Sequence, residues 1–449
     1  MAPDDLPDDI ETAATATSQL DADSVYMFLH PGWKREQRAN RWHFAARWAR
    51  YLPVVLVIPD TVRTGQVEEP EPRIEGARIL RVVPNGGGLP GPLAGIQLRQ
   101  VEADMKRSGY RQPILWLYNA NFAEVFALLP AAKRIHHVTE NYFDFPEMSP
   151  DYLRRTEEVT RIADLNVAVS AGCADPLRPL TEDKRLLVVT NGCDYKFYGA
   201  NVQANREVSA LHAQFERIAV FAGNINNRLD FALLNQVAQT YPTTLVLLIG
   251  PVDLNASAVL QLQSSMRRFQ NLRLKHEVPA ERLPAIYRAA DMGLIPYVGD
   301  RLIAENGFPL KALEMAATGL PVVTSFMRPL LPLSPPLQVA SSSGEFIAAM
   351  AGLRRSDGLS LQLRTVASAN DYDRKFSEIL SALCALPRKN QMIAEAANSK
   401  PLSTKGNASL KERLLIVKMR LAPSISRIVD RLPPSLRKSV IRVKRLIIG

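Results

Sequence analysis

Glu305-Asn306-Gly307-Phe308-Pro309-Leu310-Lys311-Ala312-Leu313-Glu314-Met315-Ala316-Ala317-Thr318-Gly319-Leu320-Pro321 reads as an irregular loop running into one short helix over about 309–318. Pro309 suits the first turn, where its missing N–H would have no intrahelical partner anyway. Gly319 suits the position just past the end, and Pro321 stops continuation. Lys311 then falls in the first turn, where a cation opposes the helix dipole by roughly 0.3–1 kcal/mol. An anion bound at that helix start would reverse the sign, and free N–H groups, dipole and lysine together suit a diphosphate. The competing reading pairs Lys311 with Glu314 or leaves it solvated. Glu314 shares a face with Lys311 and Thr318, while Leu310, Leu313 and Ala317 point to a core. A carboxylate there can accept hydrogen bonds from ribose or sugar hydroxyls, or form a surface salt bridge.

Working outward, the helix sits in a repeating strand and helix alternation. Strands at Ile218 to Phe221, Leu245 to Ile249, Leu272 to Leu274, Met292 to Ile295 and Pro321 to Thr324 alternate with helical segments, giving a second α/β domain over 218–365. In such sheets ligands sit beyond the carboxyl ends of the strands. Gly223 and Asn224 end the first of these strands, Gly250 ends the second, and Tyr297 follows a later one, so all four are candidate binding positions along with Asn306, Lys311 and Glu314. Gly223 would let backbone approach a ligand closely. Neither a Walker loop nor Gly-x-Gly-x-x-Gly occurs, which weakens ATPase and dehydrogenase readings.

The first half alternates in the same way. Val25 to Leu29, a helix within 36–50, and Pro53 to Ile58 form a βαβ unit, the signature of a parallel sheet. Further strands at Ile79 to Val83, Ile114 to Tyr118, Arg134 to Val138, Leu165 to Val169 and Leu186 to Val189 complete an N-terminal Rossmann-like domain over 23–195. Fold class is therefore α/β, with two doubly wound domains facing across a cleft. Residues 196–217 form the connection. A late helix within 366–387 follows, placed to cross back to the first domain. A polar linker occupies 388–407 and a basic amphipathic tail 408–449. The first 22 residues are acidic, lack the apolar core of a secretory signal, and are expected to be a disordered leader.

The 449 residues carry a net charge of +10, unevenly placed. The tail holds eleven Lys/Arg against Glu412 and Asp430, which accounts for nine of those ten charges. A nearly neutral body argues against nucleic-acid binding, and a basic tail with interleaved Leu, Ile and Val suits an anionic membrane surface. Its alternative is a helix docked on the body. Cys173, Cys193 and Cys384 cannot build a disulfide framework and have no metal spacing, as befits a reducing cytoplasm. No convincing metal set appears. Asp371-Tyr372-Asp373 spells Asp-x-Asp but opens the late helix, where a cap is the simpler reading.

These segments together resemble the nucleotide-sugar domain of GT-B-fold glycosyltransferases. The run from Asn306 to Ser325 looks like their donor-binding helix and following strand. Asp164 to Ser170 and Val188 to Phe197 look like the end of their N-terminal domain. The large retaining families carry a glutamate eight positions before the one matching Glu314; here that position is Asn306, which the resemblance takes away from a retaining mechanism. The closer resemblance is to the xanthan-type glucuronosyltransferase and related exopolysaccharide glycosyltransferases of group 1 type. Arg38-Ala39-Asn40-Arg41-Trp42-His43-Phe44 is similar to that group's segment after the first strand. Tyr297 and Lys311 match its nucleotide-contacting positions, and Glu140 falls where it has an aspartate base.

What the resemblance implies is a metal-independent transferase of hexosyl or glucuronosyl units, without a cofactor and with a UDP-sugar favoured as co-substrate. The expected partners are that nucleotide sugar, a lipid-linked glycan acceptor and an anionic membrane, with the protein cytoplasmic and peripheral on the inner face. An inverting transfer needs a base at the cleft; Glu140 is the first candidate and Asp144 the rival. Asn40 and His43 are acceptor-side candidates, although His43 could equally lie in a helix interface. The Gly-rich loop 85–95 suits an acceptor lid or a plain surface loop. Competing functions are a sugar-nucleotide epimerase on the same fold and a non-catalytic membrane scaffold with a degenerate site.

Overall fold

The computed structural model describes residues 6–33, 38–71, 73–84 and 92–387. The linker 388–407, the tail 408–449 and the 85–91 part of the Gly-rich loop lie outside the described residues.

Two sheets form, one in each half. The first runs β3-β4-β2-β1-β5-β6-β7-β8, with β1 Ser24–Phe28, β2 Val54–Pro59, β3 Val67–Glu68, β4 Ala77–Val82, β5 Pro113–Leu117, β6 Lys133–Val138, β7 Leu165–Ala168 and β8 Leu186–Val188. All its pairings are parallel except the short edge strand β3 on β4. The second runs β11-β10-β9-β12-β13-β14 and is parallel throughout, with β9 Arg217–Ala222, β10 Thr244–Ile249, β11 Leu272–Lys275, β12 Met292–Ile295, β13 Val322–Ser325 and β14 Gln338–Ala340. Every residue of β1, β5, β10 and β12 is buried. That is why these segments read as unbroken apolar runs: helices cover both faces of a parallel sheet.

Two crossings join the halves, and they lie side by side. The outgoing chain passes Cys193 and the returning chain passes Asp371, which are bridge partners. Cys193 N donates to Asn370 O (3.1 Å) and Tyr372 N donates to Cys193 O (3.0 Å). The returning helix, Tyr372–Ala385, buries Tyr372, Phe376, Ile379, Leu380 and Leu383 in the first domain's core with Trp48 and Trp116. Asp371 is its N-cap, accepting from Asp373 N (2.6 Å). Asp373 in turn pairs with buried Arg47 at 2.9 Å. The Asp-x-Asp string is thus a cap and a hinge anchor.

One expectation is corrected. Within the supposed disordered leader 1–22, Leu6–Ser18 is a helix packed against the returning helix. Ala13, Ala16 and Leu20 are buried there, and Cys384 Sγ donates to Ala16 O (3.2 Å). A stripe made mainly of alanine buries little area per residue, so it leaves a faint periodic signal, yet it lets two helices approach closely. Among the described residues, no helix is long and apolar enough to cross a membrane.

Candidate active site

The carboxyl ends of both sheets open on a shared cleft of about 1150 Å³. Asn40 and Glu140 line it from the first domain, and Gly223, Asn224, Gly250, Tyr297, Asn306, Lys311 and Glu314 from the second.

The helix at its heart is Leu310–Ala317, with Pro309 as N-cap, Thr318 as C-cap and Gly319 at φ +72°. Pro309 is thus one position earlier than the sequence suggests, and Lys311 remains in the first turn. Lys311 Nζ donates to Tyr297 Oη (3.0 Å) and stands 4.0 Å from the Phe221 ring centroid. It forms no ion pair with Glu314 among the described salt bridges, so the sequence's alternative of a surface pair fails. Two glycines make room around it. Gly223 (φ +145°) lies so near Lys311 that a Cβ would overlap the ammonium, and a Cβ on Gly250 (φ +146°) would overlap the Gly223 carbonyl. Strand ends, helix start and cation therefore meet at one point, as a diphosphate site requires.

Glu314 is buried rather than exposed. Burial pushes its carboxyl up to about 7, while Lys311, a hydrogen bond from Tyr198 and Arg38 pull the other way. Tyr198 and Tyr287 both lie close to it, and Tyr287 Oη is buried without a hydrogen-bond partner. Between pH 4.5 and 7 the folded chain holds a proton here that the unfolded chain has lost, so stability falls as pH rises through that window. The lost stability is of order 3 kcal/mol for a shift of this size. We expect Glu314→Gln to raise the melting temperature at pH 8 and to weaken nucleotide-sugar binding. In the unaltered chain, affinity for a UDP-sugar, whose diphosphate diester does not titrate near neutrality, should fall as pH drops below 7. A flat affinity profile in calorimetry from pH 6 to 8 contradicts a ligand-accepting carboxylate.

Glu140 follows β6 and is half-exposed. Its Oε1 accepts from Arg228 Nη2 across the cleft (3.2 Å). Asp144 does not line the cleft: the turn Tyr142–Asp144 carries it to the exposed side, where it accepts from Asn141 Nδ2 (2.9 Å). The rival base is therefore not brought together with the other site residues.

Asn306 is buried, donates to Leu302 O (3.1 Å) and leaves its Oδ1 unpartnered. It abuts Gly172 of the first domain so closely that a Cβ there would overlap it. The position that resemblance marks as a missing glutamate is thus a domain contact.

On the acceptor side, the structure places His43 in the second of its two expected positions, the helix interface, and takes it away from the acceptor. It is fully buried and stacks on Tyr372 (4.1 Å, 18°), inside the interface between helix Asn40–Trp48 and the returning helix. Burial, then Arg47, hold its ring well below the usual histidine range, so it is a neutral packing group. Asn40 lines the cleft, but its amide accepts from Tyr118 Oη (3.0 Å) and donates to Asn191 Oδ1 (2.8 Å).

Sequence reasoning missed Arg228 and Arg38, both lining the cleft. Arg228 lies five residues past Gly223, in a loop pinned by Val298 N donating to Arg228 O (2.9 Å). A cation shortly after a strand-end glycine was the available signal. Arg38 has φ +55°, pairs with Asp194 (2.9 Å) and stacks 3.4 Å from the Phe197 ring centroid. Among the described residues no group of three or more His, Cys, Asp or Glu could hold a metal ion.

Residues 216–331 match the family described as glycosyl transferases group 1. The chain is 25% identical over 240 residues to the putative teichuronic acid biosynthesis glycosyltransferase TuaH of Bacillus subtilis (strain 168), a match covering 50% of this chain and 59% of that relative. In three dimensions it is similar to HepE of Anabaena in complex with UDP, with a TM-score of 0.59 and 14% identity over 81% of this chain and 100% of the other. It is also similar to an E. coli trehalose-6-phosphate structure bound with UDP-2-fluoro glucose, with a TM-score of 0.61 and 12% identity over 81% of this chain and 100% of the other. The chain has the two-domain GT-B fold, and its segment 216–331 matches the group 1 glycosyltransferase family.

Proposed function

We propose that the chain moves a hexosyl or glucuronosyl unit from a UDP-sugar to a hydroxyl of a lipid-linked or polysaccharide acceptor, with inversion. One observation carries the reading: a cradle of helix N-terminus, two strand-end glycines and Lys311 faces a carboxylate, Glu140, across one cleft. The family match of 216–331, the glycosyltransferase relative and the UDP and UDP-2-fluoro glucose held by the two structural neighbours support it. The xanthan-type assignment of sugar and acceptor rests on the resemblance of the segment 38–44 and of Glu140.

In this mechanism Glu140 takes the proton of the acceptor hydroxyl. The acceptor oxygen forms a bond to the anomeric carbon, and the bond from that carbon to the β-phosphate oxygen breaks. The leaving diphosphate gathers negative charge, which Lys311, the helix N-terminus and Arg228 stabilise without a metal. Glu140 must first leave Arg228, a half-exposed pair of small energetic weight. Glu314 receives the ribose hydroxyls. Screening a panel of nucleotide sugars for protection against thermal unfolding tests the reading. UDP-sugars should protect; absence of protection by every nucleotide sugar would overturn it.

The same reading places the protein peripherally on the cytoplasmic face of a membrane, held by the basic tail. Deleting 408–449 should release it from anionic vesicles while leaving the catalytic body folded. Each Lys or Arg near an anionic surface adds roughly 1 kcal/mol, and the attraction should fade with salt. Sedimentation with anionic and neutral vesicles at low and high salt is the check. Equal binding to both, or full retention by the shortened chain, rules out the electrostatic anchor.

A further inference from the structure

A line of hydrogen bonds, buried at its Tyr118 end and part-buried beyond, runs from the acceptor-side sheet, through the hinge, to the start of the donor helix. Tyr118 Oη donates to Asn40 Oδ1 (3.0 Å), Asn40 Nδ2 donates to Asn191 Oδ1 (2.8 Å), and Asn191 Nδ2 donates to Phe308 O (2.9 Å). Its direction is fixed at one end. The Phe308 carbonyl can only accept, so Asn191 must present its NH₂ there and its oxygen to Asn40. Asn40 must then present its own NH₂ to Asn191 and its oxygen to Tyr118, whose hydroxyl donates. Both amides have one orientation that satisfies every member.

The four groups come from four places. Tyr118 follows β5 and Asn40 opens the helix Asn40–Trp48. Asn191 stands on the outgoing crossing, and Phe308 lies two residues before the donor helix. Asn191 has little freedom of its own. The next residue, Gly192, packs so tightly on Asn370 O that a Cβ would overlap it, which locks the outgoing crossing to the returning one. On the far side of the same turn, Arg38 pairs with Asp194. Any rotation of one domain against the other must therefore move Asn191 relative to Asn40, to Phe308, or to both.

We propose that Asn191 and Asn40 are positioning residues that hold the Phe308–Pro309 loop, and with it the N-terminus of the donor helix, in register with the acceptor-side domain. The helix start is aimed at the diphosphate only while the domains keep this arrangement. Neither residue needs to touch substrate: each amide already has partners on both sides. The inference rests on the nucleotide-sugar reading for what the helix binds, but the placement of the helix start can be measured without ligand.

The test uses the full-length chain and the variants Asn191→Ala, Asn191→Asp, Asn40→Ala and the double Asn40→Ala/Asn191→Ala. Aspartate at 191 keeps the acceptor for Asn40 and loses the donation to Phe308, at almost unchanged volume, so it carries the test if the alanine variant does not fold. Affinity for UDP should fall about tenfold in both 191 variants, the weight of one hydrogen bond. Hydrogen exchange of the unliganded chain should quicken over 308–314 and stay unchanged over the distant helix Phe231–Thr240. The double variant should be no worse than Asn191→Ala, because both residues act through one line. A merely structural role predicts a lowered melting temperature with no localised exchange. Unchanged exchange at 308–314 in both 191 variants, or additive losses in the double, overturns the proposal. If the unaltered chain binds no nucleotide, the functional reading falls and the exchange result alone decides the positioning role.

Discussion

Glu140→Gln leaves UDP binding intact and lowers sugar transfer by about 10²–10⁴-fold, the weight of a positioned general base. Glu140 is a carboxylate that lines the cleft from the acceptor domain, and Asp144 points away on the exposed side of its turn. Gln keeps the size and the hydrogen-bonding oxygen but cannot take a proton. It also releases Arg228 from an ion pair, so affinity for UDP should be equal or slightly higher than in the unaltered chain. Single-turnover transfer and calorimetry, run on the same preparation, separate the two effects. Near-normal turnover in Glu140→Gln, with turnover lost in Asp144→Asn, would move the base to Asp144. Proton couplings at the anomeric centre of the product report inversion independently.

Lys311→Ala should weaken UDP binding by about 1.5–3 kcal/mol, the range for a charge-assisted hydrogen bond. That is a roughly tenfold to 150-fold change in dissociation constant. The fold should survive. Lys311 opposes the dipole of its own helix, so removing it relieves a few tenths of a kcal/mol and offsets the lost contact with the Phe221 ring. Melting temperature near that of the unaltered chain, together with weakened UDP, is the expected pair of results. Unchanged affinity contradicts the diphosphate assignment.

The donor helix is legible in the sequence because its punctuation is local. Pro309, Gly319 and Pro321 mark the ends whatever the rest of the chain does, and the Lys311–Glu314 face follows from helical spacing. What spacing cannot show is the environment of that face. Glu314 reads as a surface carboxylate until Tyr198, from the connection, and Tyr287, from the helix Leu283–Ala289, close over it. Arg228 is unremarkable until the fold carries its guanidinium across to Glu140. His43 shows the reverse case. It lies in a segment resembling an acceptor site, yet the returning helix, more than three hundred residues away in sequence, covers it with Tyr372. The leader helix escaped notice because alanine carries little periodic contrast. Local chemistry was readable; the surroundings that distant segments bring to it were not.

Titration of the full-length chain with UDP and with uridine, by calorimetry at pH 7.5, tests the central claim most directly. If the cleft is a nucleotide-diphosphate site built on Lys311, the strand-end glycines and the Leu310–Ala317 helix start, UDP binds at one site and uridine binds at least about tenfold more weakly, because the diphosphate supplies the charge-assisted contacts. Equal affinity for the two, or no binding of UDP, would contradict it.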